Sequence, residues 1–115
     1  MANYILKNNV DILRCANWAM DLIFGNLKLA INEEGLEDNS VLNDFLEKLD
    51  QDNYGRGCVY VEILDYFSQE PNEKKLSLTL LYTLMKKTIE KIKQDISLDP
   101  RFIQRLEEFK EKILI

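Results

Sequence analysis

The sequence predicts an all-α fold, a compact antiparallel bundle of four to five helices, and three observations point to it. Apolar residues recur at spacings of three and four along most of the chain, the period of an amphipathic helix. Glycine and proline are scarce, four and two among 115 residues, which is too little turn punctuation for a many-stranded fold. Helix-start signals stand at Ser40 and at Asp99-Pro100, an N-cap followed by proline at the first helical position.

The first helix is expected over about residues 9–32, with Gly35 placed to stop it. Ile12, Ala16, Ala19, Met20, Ile23, Leu27, Ala30 and Ile31 form its stripe, widened by Leu13 and Phe24. Only Arg14, Asn17, Asp21, Lys28 and Asn32 make a wet face, so this helix is expected at the centre with neighbours on several sides. A second helix starts at Ser40 and ends near Leu49 or Asp50, burying Val41, Leu42, Phe45, Leu46 and Leu49. Val59, Tyr60, Ile63, Leu64 and Phe67 repeat that spacing in a third segment. Its β-branched run also suits a strand, but the four-residue recurrence and the lack of an obvious partner strand favour helix. Beyond Pro71-Asn72 a fourth helix runs to about Ile96, with Leu78, Leu81, Met85, Ile89, Ile92 and Ile96 inward. The last, opened at Asp99, turns Phe102, Leu106, Phe109 and Ile113 inward. Short connections between such helices imply antiparallel neighbours.

The length suits a single domain over residues 1–115. Cys15 and Cys58 lie far apart, outside any metal or redox spacing, and read as small, partly buried thiols of a reducing compartment. Residues 1–7 have neither the basic start nor the apolar run of a signal peptide. The most apolar stretch, residues 16–31, is interrupted by Asn17, Asp21, Asn26 and Lys28 and is too polar for a membrane span. A cytoplasmic protein without membrane contact is expected.

The formal charge of −5 is unevenly spread. Residues 33–73 hold twelve acids against Lys48 and Arg56, a net −10, so the remainder of the chain carries +5. On the expected helices Asp44 and Glu47 project outward from the second, and Glu62 and Asp65 from the third, with Tyr66 at the flank. The connector adds Asp50, Asp52 and Tyr54. These eight residues are the candidate site: carboxylates steer a basic protein partner, and tyrosines supply anchors. The lysines of the fourth helix (Lys86, Lys87, Lys91, Lys93) are mixed with Glu90 and Asp95, and read as a solvated face rather than a nucleic-acid surface.

Histidine is absent, which excludes histidine triads, a histidine base and histidine metal ligands. Neither a phosphate-binding glycine loop nor a dinucleotide fingerprint is present. The run Asp50-Gln51-Asp52-Asn53-Tyr54-Gly55 matches the start of a calcium-binding loop, but position twelve is Val61 where a bidentate glutamate is needed, and Glu62 falls one residue late. No metal or cofactor is therefore expected. Trp18, in the densest apolar segment, reads as a buried or half-buried core residue.

Together these features predict a non-catalytic acidic binding protein. In overall character the chain is similar to bacterial immunity proteins as a class, without a residue-level motif. The function expected is an immunity or inhibitor protein that neutralises a basic toxin by covering its active surface. A nuclease is the toxin class whose chemistry demands a basic surface. The alternative is a helical adaptor or regulatory subunit acting through apolar helix surface, for which a homodimer is the natural state. A phage-type inhibitor that mimics nucleic acid is a third reading.

Overall fold

The computed structural model describes residues 2–50, 59–68 and 75–115. Its first elements overturn the all-α expectation. β1 (Ala2–Lys7) and β2 (Val10–Ala16) form an antiparallel hairpin where loop and helix were expected. The turn between them is Asn8-Asn9, both with positive φ (55° and 67°). That pair of left-handed residues makes the primed two-residue turn whose twist matches a hairpin, and asparagine tolerates it better than other non-glycine residues.

A β-bulge explains why β2 resembles helix in sequence. Leu6 pairs with Asp11 and Ile5 with Leu13, leaving Ile12 as the extra residue. Ile12 and Leu13 are consequently both buried, which breaks strict alternation and leaves an adjacent apolar pair of the kind a helix shows.

The third segment is also corrected. Residues 60–62 form β3 (Tyr60–Glu62), followed by a 3-10 turn (Ile63–Asp65). The missing partner strand is β1, to which β3 pairs in parallel, with Tyr4 opposite Tyr60 and Ile5 opposite Val61. The sheet order is β2-β1-β3. A second, minimal parallel pair joins β4 (Phe67–Ser68) to β5 (Leu76–Ser77). The molecule is mixed α and β, not a helical bundle.

Helices still dominate. α1 (Asn17–Glu33) begins eight residues later than the spacing of apolar residues suggests, directly from the end of β2. Gly35 ends it as expected: at φ 71°, it lets its own N–H reach the Asn32 carbonyl and the Leu36 N–H reach that of Ile31. α2 (Ser40–Leu49) is capped one residue before the predicted site, Asn39 Oδ1 accepting from the Leu42 N–H at 3.0 Å. α3 (Leu78–Ile92) is capped by Ser77 and stops short of the predicted end. Asp95 captures the backbone and hydroxyl of Ser97, a local turn that competes with further helix, and Ile96 is left 96% exposed rather than buried. α4 (Pro100–Lys112) starts where Asp99-Pro100 predicts, Asp99 Oδ1 accepting from the Arg101 N–H.

The buried apolar side chains form a contiguous cluster. Ile5, Leu13, Cys15 and Val61 of the sheet meet Met20, Ile23, Leu27 and Ile31 of α1, the inner faces of α2, α3 and α4, and Phe67. α1 lies against α3, and α4 against both α3 and β2. Asn3, completely buried, ties the sheet together: its amide donates to the Cys15 carbonyl (3.2 Å) and to Asn17 Oδ1 (2.9 Å), while its Oδ1 accepts from the Val59 N–H (2.8 Å). No described helix is long and apolar enough to cross a membrane.

Candidate functional site

The eight candidate residues separate into three groups. Asp44 and Glu47 stand exposed on α2, the helix whose Leu42, Phe45, Leu46 and Leu49 are buried, so the predicted display there is correct. Asp50, half-buried, closes the C-terminus of the same helix. Tyr66 follows the 3-10 turn and packs edge-on against Phe45 of α2, ring centroids 5.4 Å apart. It is half-buried rather than an outer-face residue, and it draws the turn bearing exposed Asp65 beside α2. Asp52 and Tyr54 lie outside the described residues, as do most of the calcium-loop match and Cys58.

Glu62 departs most from expectation. On a helix it would share a face with Asp65; on β3 its carboxylate turns to the hairpin instead. Oε1 accepts from the Asn9 N–H at 2.7 Å and Oε2 from the Leu64 N–H at 3.0 Å. Partial burial pushes its pKa up, but the N–H groups of Asn9, Leu64 and Asn8 outweigh that and hold it below the ordinary glutamate value. Its role is structural, a clasp between β3 and the hairpin turn.

The acidic middle section is also partly neutralised. Glu33 pairs with Lys91 and Glu34 with Lys87, so two lysines assigned to a solvated face instead join α3 to the end of α1. Glu34, hydrogen-bonded to Lys87, raises the pKa of that ammonium group. The stretch 37–50 holds five acids and one base, Lys48. Within it Glu37, Asp38 and Asp44 are exposed and make no ion pair with the described residues.

Other features escaped the sequence reading. On the outer face of the sheet Tyr4 and Tyr60 lie 5.9 Å apart, and the Arg14 guanidinium sits 5.6 Å above the Tyr4 ring. Strand alternation about residues 4 and 60 would have found them, had either segment been read as a strand. A cleft of about 680 Å³ opens beneath the hairpin tip, walled by Val10, Ile12, Leu64, Leu78 and Ile115, with Lys7 and Lys112 at its edge. Lys7 Nζ donates to the Ile115 main-chain oxygen at 2.6 Å. Cys15 is buried, and desolvation outweighs the nearby Arg105 charge to push its thiol up to about 11, so it is a neutral thiol at physiological pH. Among the described residues no group of three or more Cys, Asp or Glu side chains is arranged to hold a metal ion.

Comparisons of the chain with protein families, with characterised proteins and with solved structures find no match.

Proposed function

We propose that the chain is a small binding protein of the inhibitor kind, which neutralises a basic protein by laying the acidic surface of α2 against it. The observation that carries this reading is the unequal fate of the carboxylates. Glu33 and Glu34 are matched by lysines of α3, whereas Glu37, Asp38 and Asp44 are held outward on α2 and its approach without an ion pair to the described residues. Charge left unmatched on a rigid helix raises the encounter rate with an opposite surface and disfavours like-charged partners. Exposed Asp65, brought beside α2 by the packing of Tyr66 on Phe45, extends the same surface.

A toxin that acts on nucleic acid fits as the partner, because a protein that approaches phosphates must itself be basic. The test uses nuclease-type toxins, with the product of the neighbouring gene as first choice. Stoichiometric inhibition at low salt that weakens as salt rises is the expected result. It should be lost on double reversal of Asp44→Lys and Glu47→Lys. Absence of inhibition across such a panel, or inhibition indifferent to salt and to the reversals, would sink the proposal.

A further inference from the structure

We draw no further inference here: the strongest candidate, the apolar cleft of about 680 Å³ beneath the hairpin tip, carries none, because Ile115 already engages its Lys7, Asp11 offsets its Lys112, and nothing in the structure shows what covers it.

Discussion

Asn3 has more influence on this fold than its size suggests. One buried amide joins the β2–α1 junction, at Cys15 and Asn17, to Val59 at the entry to β3, more than forty residues further along the chain. Replacement by alanine leaves the Val59 N–H and the Cys15 carbonyl without those partners in a dry environment. A loss of about 2–4 kcal/mol is expected, because unsatisfied buried groups cost their full desolvation. Denaturant unfolding measures it, and a change below about 0.5 kcal/mol, the scatter of an ordinary surface substitution, would refute the role. Glu62 acts at the same scale but through charge. Its pKa is depressed in the folded protein, so its contribution is fully present above the unfolded glutamate value and fades as pH falls through the folded one. Solvent reaches this carboxylate, so Glu62→Gln should cost only about 0.5–1 kcal/mol at neutral pH. Near pH 2 the variant and the wild type should converge; an equal difference at both pH values would exclude the charge-based account.

Among the elements, the legible ones were those whose signals are local. α4 was announced by Asp99-Pro100 and by Phe102, Leu106 and Phe109 at helical spacing. α2 was nearly as plain, its cap falling at Asn39 instead of Ser40, and α3 was legible from its apolar period alone, which carried the expected inner face too far, to the exposed Ile96. The hairpin was missed for a physical reason: the bulge at Ile12 and the direct passage of β2 into α1 make residues 12–20 look like one continuous helical stripe. The parallel partner of β3 lies more than fifty residues away, a pairing that no local pattern reveals. The candidate site suffered accordingly. Asp44 and Glu47 were placed correctly because α2 was, while Glu62 and Tyr66 were misdirected along with their segment. The Asn8-Asn9 turn should be where the hairpin is most easily weakened. Alanine at Asn9 must adopt φ near 67°, and should cost about 1–2 kcal/mol. Glycine there should be tolerated or stabilising. If both substitutions behave alike in thermal unfolding, the left-handed turn is not what sets the hairpin.

At the scale of the whole molecule, charge asymmetry in the sequence becomes a spatial division of labour. The section from 33 to 73 is strongly acidic, but its first two glutamates are matched by Lys91 and Lys87 and serve the contact between α1 and α3. Further along, Glu37, Asp38 and Asp44 are exposed and make no ion pair with the described residues. This division makes a kinetic prediction that a uniformly acidic surface would not. Exposed charges beyond about 10 Å are screened at 0.1 M salt, so long-range steering by α2 should appear mainly in the association rate and its salt dependence. Reversal of Asp38 and Asp44 should slow association with a basic partner roughly tenfold or more at low salt and flatten the salt slope. Neutralising Glu33 and Glu34 instead leaves Lys91 and Lys87 uncompensated, and also lowers the overall negative charge. Its effect on association should still be smaller, because those carboxylates are already matched in the field a partner meets. Stopped-flow binding of the two variant pairs across ionic strengths distinguishes the cases. Equal slowing by both would mean that net charge alone governs recognition, and α2 would lose its special place.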